Sequence, residues 1–323
     1  MIKNPAIYIN THALGDTLAA IPTLNKLSKS FEQPITVFTS KPDLFGGHPS
    51  VLNALPLDSD KSDYTIHETF QPLLNLNHIF DLGESNHKFV FKHGTMDIRQ
   101  FHAISVGVTL EPDEMAIDLY IEAPMDIKGL QNYVVIHPTK TWPSRTWDSN
   151  SWQDLINELN GRGIPVIAIG QRDKEWSATD KKVVYKDTID LNIELGLNLL
   201  DAGTSIANLR WLMNRSKCVV TMDSGILHLA GTTDANIIQL GSSINHKLRA
   251  PFRKGTQSYK YKYVEGGCTK KCASDIKYYQ KVHGNIHGIP PLGKCLEGYS
   301  EFKCHPTVDL VFKEIMKTKH LYV

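Results

Sequence analysis

The stretch Thr221-Met-Asp-Ser-Gly-Ile-Leu-His-Leu-Ala-Gly231 constrains this chain more than any other. The apolar run Cys218-Val-Val leads into it, and a second, Ile237-Ile-Gln-Leu-Gly241, follows. Short apolar runs on either side of a small-residue turn and a brief apolar helix read as strand, turn, helix, strand. Asp223 falls where the first strand ends, Ser224 and Gly225 where the helix begins, and His228 one helical turn further on. A helix start of this kind exposes unpaired amides and partial positive charge, which suits a phosphate or diphosphate.

The same order recurs along the chain. Residues 5–10 read as a first buried strand, and Leu18, Ile21, Leu24 and Leu27 mark a helix by their spacing. Pro22 is expected in or near that helix's first turn, where a missing N–H costs little. Residues 35–39 read as the second strand, so Gly15-Asp16 lies in a β-α-β turn at the strand's carboxyl end, where open α/β sheets bind ligands. The turn is not GxGxxG, which argues against a dinucleotide dehydrogenase. A carboxylate there would repel phosphate, so Asp16 has another task.

Residues 43–77 are less regular, and 76–81 read as a short strand. A helix is expected from His93 to Gly107, with Asp97, Arg99 and His102 on a solvated face. Ile117–Ile121 alternates like a strand, and residues 123–129 read as a linker. Beyond it come a strand at 133–137, a loop carrying Trp142, Arg145 and Trp147, and a helix from about residue 150 whose capping start is Ser151-Trp-Gln-Asp154. A strand at 164–170 and a helix opened by Gly203-Thr204-Ser205 lead back to the Asp223 stretch. Alternation at this spacing predicts two doubly wound α/β domains. Their expected spans are 1–125 and 130–305, with a cysteine-rich segment at 266–305 and a terminal helix within 306–323.

A formal net charge of +1 gives no global field that would draw the protein to nucleic acid or membrane. No apolar run approaches the ~20 residues of a spanning helix, and the first ten residues do not form a signal peptide. A cytoplasmic protein is expected, with peripheral membrane association compatible. In a reducing compartment Cys268, Cys272, Cys295 and Cys304 read as a structural zinc or iron site, ahead of free thiols or a disulfide, with His283, His287 and His305 as substitute ligands. The segment from Arg253 to Lys281 is locally basic and interleaved with tyrosines, a composition that can bind nucleic acid or an anionic glycan.

Four motifs in one order resemble glycosyltransferase family 9, the ADP-heptose heptosyltransferases of lipopolysaccharide synthesis and their relatives, including the autotransporter heptosyltransferase branch. They are Gly15-Asp16 with Ala20-Ile-Pro22-Thr-Leu24; His137-Pro138 with Ser144-Arg145-Thr-Trp147 and Trp152; Gly203-Thr204-Ser205-Ile206; and Asp223-Ser-Gly-Ile-Leu-His228-Leu-Ala230 with Leu240-Gly241. Ser224 stands where many members carry threonine.

The resemblance implies a GT-B fold, two Rossmann-like domains facing a cleft, and an inverting, metal-independent transfer from a nucleotide-diphosphate sugar to a hydroxyl acceptor, a surface glycan. It makes Asp16 the base. It places the donor diphosphate and sugar at Gly15, Arg145, Thr204, Ser205, Asp223, Ser224, Gly225 and His228. It also implies an iron-binding four-cysteine motif in the autotransporter branch. His12, Asp97, Arg99 and His102 are the acceptor candidates.

Plainer readings stand beside these. Asp16 caps its helix, Arg145 makes a surface ion pair, His228 is a core histidine, and Trp142, Trp147 and Trp152 are packing residues. The alternatives for the whole chain are a glycosyltransferase acting on protein or modified nucleic acid, and a non-catalytic nucleotide-sugar-binding module.

Overall fold

The computed structural model describes residues 5–9, 13–57, 78–82, 96–138, 143–170, 174–177, 182–185, 190–253, 260–274 and 295–318. The elements in chain order begin with β1 (Pro5–Ile9), α1 (Leu14–Phe31), β2 (Ile35–Thr39), β3 (Val51–Pro56), β4 (His78–Asp81) and α2 (Ile98–Ser105). After them come β5 (Val134–His137), α3 (Ser149–Asn160), β6 (Val166–Gly170), β7 (Lys174–Ser177), β8 (Lys182–Tyr185) and β9 (Gly196–Leu200). The chain ends with α4 (Ile206–Asn214), β10 (Cys218–Thr221), α5 (Gly225–Gly231), β11 (Asn236–Leu240), β12 (Tyr261–Val264) and α6 (Val308–Lys317).

Two parallel sheets result. The first has the order β3-β2-β1-β4 and the second β12-β11-β10-β5-β6-β9, while β7 and β8 form a separate antiparallel pair. Counted from its own first strand, the second sheet runs 6-5-4-1-2-3, the doubly wound order. Its direction of winding reverses between β5 and β10, and the first sheet reverses between β1 and β4. A chain leaving the carboxyl end of a strand at such a point opens a crevice that no crossover helix covers.

One core cluster runs through both sheets. Ile7, Leu18, Ile21 and Leu24 from the first half join Ile226, Leu227 and Leu229 of α5, then Val135, Ile167 and Val219 of the second sheet. Helices α1 and α5 are therefore a shared layer, and each Leu or Ile so buried stabilises it by about 1.5–3 kcal/mol. A second cluster on the other face of the second sheet takes in Trp147, Trp152, Leu155 and Val311, so the terminal helix α6 belongs to that sheet. Trp147 and Trp152 are packed edge to face at 4.9 Å, as packing residues.

Several boundaries differ from the sequence reading. Helix α1 starts at Leu14, so Gly15 and Asp16 lie inside its first turn, and Pro22 falls in the helix interior. Asp148 caps α3 by accepting from the Ser151 amide at 2.9 Å, which replaces the start expected at Ser151. Residues 117–121 form no strand, although Ile117, Leu119 and Ile121 pack on the core, because no neighbouring strand pairs with them. The expected linker is stitched down. Asn208 donates to the carbonyls of Ala123 and Pro124, and Arg210 donates to that of Ile121. Among the described residues no helix is long and apolar enough to cross a membrane.

Candidate active site

In the second sheet His137 ends β5 and Thr221 ends β10, and the two residues are register partners. Their side chains meet Ser224 in a buried triangle. His137 Nδ1 lies 3.1 Å from Thr221 Oγ1 and 3.3 Å from Ser224 Oγ, and the two hydroxyls are 3.1 Å apart. Burial pushes the His137 pKa down to about 3, so the ring is neutral and acts as a hydrogen-bonding group. Ser224 precedes α5 as its N-cap but gives it no side-chain cap, since the hydroxyl is turned inward. In this arrangement the Ser224 hydroxyl is engaged by Thr221 and His137.

Arg145 ends the short 3-10 turn that follows β5. Its Nε donates to the Asp223 carbonyl at 2.8 Å, Nη2 donates to the same oxygen, and Nε lies 3.5 Å from Asp223 Oδ2. The pair is largely shielded from solvent, so Arg145 is not a surface ion pair. The guanidinium fixes the turn's geometry and sets fork-shaped positive charge beside it.

The first sheet contributes the opposite wall. A Cβ built on Gly15 would stand 3.3 Å from the Gly225 Cα and 3.3 Å from His228 Cδ2. One built on Gly225 would stand 2.9 Å from the Gly15 amide nitrogen. The starts of α1 and α5 therefore abut: a side chain at Gly15 would be tight and one at Gly225 would force a shift. Asp16 follows directly, in the first turn of α1, where a carboxylate is stabilised by the helix dipole. The helix is capped at Ala13 without any side chain, so Asp16 is not the cap.

His228 is buried at this joint, and its Nδ1 finds no hydrogen-bond partner among the described residues. Burial first, then the Arg99 charge, lower its pKa to about 4, while Asp223 and Asp97 oppose the shift. A neutral histidine in van der Waals contact with α1 fits the core reading. The unpaired nitrogen leaves a ligand contact open as well.

The other candidates fare differently. Asp97 caps α2 and pairs twice with Arg99, at 2.9 and 2.6 Å, while Arg99 also donates to the Ala250 carbonyl at 3.0 Å. Arg99 and His102 are buried, which corrects the expected solvated face: α2 docks its start against the 246–250 segment. Ser205 caps α4 by accepting from the Asn208 amide, and no hydrogen bond or ion pair among the described residues joins Thr204 or Ser205 to the Asp223 turn. His12 and Trp142 lie outside the described residues.

The basic tail is mostly spoken for. Arg253 donates to the carbonyls of Ala230 and Ala235, Lys260 donates to that of Asp234, Lys271 pairs with Glu265, and Lys270 pairs with Glu297. These contacts cap α5 and close loops, while Lys262 is exposed. Lys254, Lys277, Lys281, Tyr259, Tyr278 and Tyr279 lie outside the described residues, as do His283 and His287.

The four late cysteines are free and converge. Cys268 and Cys295 each act electrostatically on both Cys272 and Cys304, and burial raises the thiol pKa of Cys272 and that of Cys304, the latter to about 12. Yet among the described residues no three His, Cys, Asp or Glu side chains are grouped to hold a metal ion. The expected zinc or iron site is thus not shown by this arrangement, although the four thiols lie close enough to act on one another.

Two parallel α/β sheets that meet across paired helix starts, with polar side chains at the ends of β5 and β10, form a GT-B fold. The model of glycosyltransferase family 9 (heptosyltransferase) matches residues 106–277, more than half of the 323-residue chain, and the chain belongs to that family. Comparison with curated proteins finds no match. Among solved structures, the iron-containing dodecameric glycosyltransferase TibC from enterotoxigenic E. coli H10407 superposes with a TM-score of 0.64 at 17% identity, over 98% of this chain and 80% of that one. A family 9 glycosyl transferase from Veillonella parvula DSM 2008 gives 0.64 at 14% identity, over 98% and 96%. The E. coli ADP-heptose lps heptosyltransferase II gives 0.55 at 16% identity, over 83% and 92%.

Sequence reasoning missed the role of His137, the docking of Arg99 and Arg249, and Ser144 under Arg145. A histidine closing an otherwise apolar strand, Val134-Val-Ile-His137, was the available signal for the first.

Proposed function

We propose that this chain is an inverting glycosyltransferase that moves a sugar, heptose or similar, from a nucleotide-diphosphate donor to a hydroxyl of a surface glycan. The abutment of Gly15 and Gly225 carries the reading, because it sets Asp16 on one side of a joint and the Arg145-held Asp223 turn on the other. In the reaction the acceptor oxygen attacks the anomeric carbon as the bond to the diphosphate breaks. Asp16 takes the acceptor's proton, and Arg145 with the first amides of α5 receives the charge on the leaving diphosphate. His137, Thr221 and Ser224 hold the turn from beneath.

Catalysis in this reading uses no metal. A zinc or iron ion on Cys268, Cys272, Cys295 and Cys304 would serve only to tie two chain segments together, and no step depends on it. The structure of TibC in complex with ADP-D-beta-D-heptose and the name of the E. coli ADP-heptose lps heptosyltransferase II support an ADP-linked heptose donor over other nucleotide sugars. Within the described residues Lys260, Lys270 and Lys271 are engaged by other parts of the chain, which supports a glycan over a nucleic-acid acceptor.

The test is release of nucleoside diphosphate from ADP-heptose in the presence of a panel of glycan acceptors. Asp16→Ala is expected to lower turnover by about 10²–10⁴-fold, the ordinary contribution of a general base. Turnover within a few-fold of wild type removes Asp16 from that role.

A further inference from the structure

Arg145 stands on a turn of only three residues, Pro143–Arg145, and something must hold that turn in place. The structure supplies two supports, both reaching Ser144. His305 Nε2 donates to the Ser144 carbonyl at 3.0 Å. Ser243 Oγ donates to the Ser144 hydroxyl at 2.9 Å, and Ser243 itself receives the Ala273 amide on its carbonyl at 3.0 Å. Ser144 and Ser243 are both buried, so these bonds are shielded from competing water. A third contact, from Trp147 Nε1 to the Pro306 carbonyl at 3.0 Å, pins the far side of the same loop.

Each support is tied to a residue beside a cysteine: His305 follows Cys304, and Ala273, whose amide holds the Ser243 carbonyl, follows Cys272. The two cysteine-bearing segments are themselves laced together, with Cys268 donating its amide to Lys303 at 2.9 Å and Gly266 donating to Cys304 at 3.1 Å. They press against β11's end so closely that a Cβ on Gly241 would overlap the Cys304 carbonyl. The frame thus runs from the cysteines through His305 and Ser243 to Ser144, then to Arg145, and from Arg145 to the Asp223 carbonyl.

We propose that the cysteine-bearing tail is a positioning frame for the donor site, with His305 and Ser243 as positioning residues that set Arg145 through Ser144. This rests on Arg145 receiving the donor diphosphate, as argued above. Neither His305 nor Ser243 touches the reacting atoms. Their loss leaves Arg145 in the chain but removes the support that aims it.

A double-mutant cycle on ADP affinity, read by calorimetry, tests this. Arg145→Ala is expected to weaken ADP binding about 10-fold or more, the ordinary worth of a charge-assisted bond. His305→Ala is expected to weaken it several-fold, and the double variant to be no weaker than Arg145→Ala alone. His305→Gln, whose side-chain amide can still donate to the Ser144 carbonyl, is expected to recover most of the loss. Should His305→Ala fail to fold, Ser243→Ala takes its place in the cycle.

If Arg145→Ala binds ADP as well as wild type does, or wild type does not bind it, the donor reading fails and takes the frame with it. If Arg145→Ala weakens binding while His305→Ala changes nothing, or the two losses multiply, the frame alone is overturned.

Discussion

His137 stays neutral because it is buried, with its Nδ1 facing the hydroxyls of Thr221 and Ser224. Its folded pKa lies near 3 against an ordinary value of 6.5, so in that window the unfolded chain takes up a proton that the folded one refuses. The contribution to stability is complete above pH ~6.5 and is lost as pH falls towards 3. His228, lowered to about 4 chiefly by burial, acts in the same direction. Urea denaturation at pH 7 and pH 5 is expected to show a drop on the order of 1–3 kcal/mol, and the slope should flatten in His137→Gln; a wild-type profile flat over that range contradicts the assignment. Asp223 and Arg145 could be read from the motif because their residue types announce charge. The inward turn of the Ser224 hydroxyl could not, since it depends on which side chain ends the strand beside it.

Helices α1 and α5 are the elements that make one site from two sheets. A methyl group on Gly225 meets the Gly15 amide nitrogen at 2.9 Å and the Leu14 Cβ at 2.9 Å, both in the first turn of α1. Gly225→Ala is therefore expected to cost about 1–3 kcal/mol in thermal or chemical unfolding. By displacing Asp16 from the Asp223 turn it should cut turnover by roughly 10²-fold. Wild-type stability together with wild-type turnover would show that the helix starts do not meet.

The strands and helices around this joint were visible in the sequence because their apolar periods are strong. Others were not. Strand β9 is only half buried, β12 is an edge strand reading Tyr-Lys-Tyr-Val, and β3 is an edge strand with exposed positions, so their patterns are blurred. Ile117–Ile121 has the alternation of a strand but lacks a neighbour to pair with. Periodicity reports which face is buried and says nothing about hydrogen-bond partners.

At the scale of the molecule the two sheets are clasped from both sides. Arg99 of the first half donates to the Ala250 carbonyl, and Arg249 of the second donates to the Met96 carbonyl at 3.3 Å. On the opposite flank Arg210 donates to Ile121 and Glu122 while also binding Thr232 at the end of α5. The contacts between the two halves join residues more than eighty positions apart, which is why sequence spacing gave no hint of them.

The central claim is that the joint between α1 and α5 separates two tasks, donor-phosphate binding by Arg145 and the Asp223 turn and proton removal by Asp16. Calorimetric titration of ADP-heptose into wild type, Asp16→Ala and Arg145→Ala measures that division directly. Asp16→Ala is predicted to bind the donor within about 3-fold of wild type, and Arg145→Ala about 10-fold or more weaker. Equal affinity for wild type and Arg145→Ala, or loss of donor binding in Asp16→Ala alone, would contradict the account.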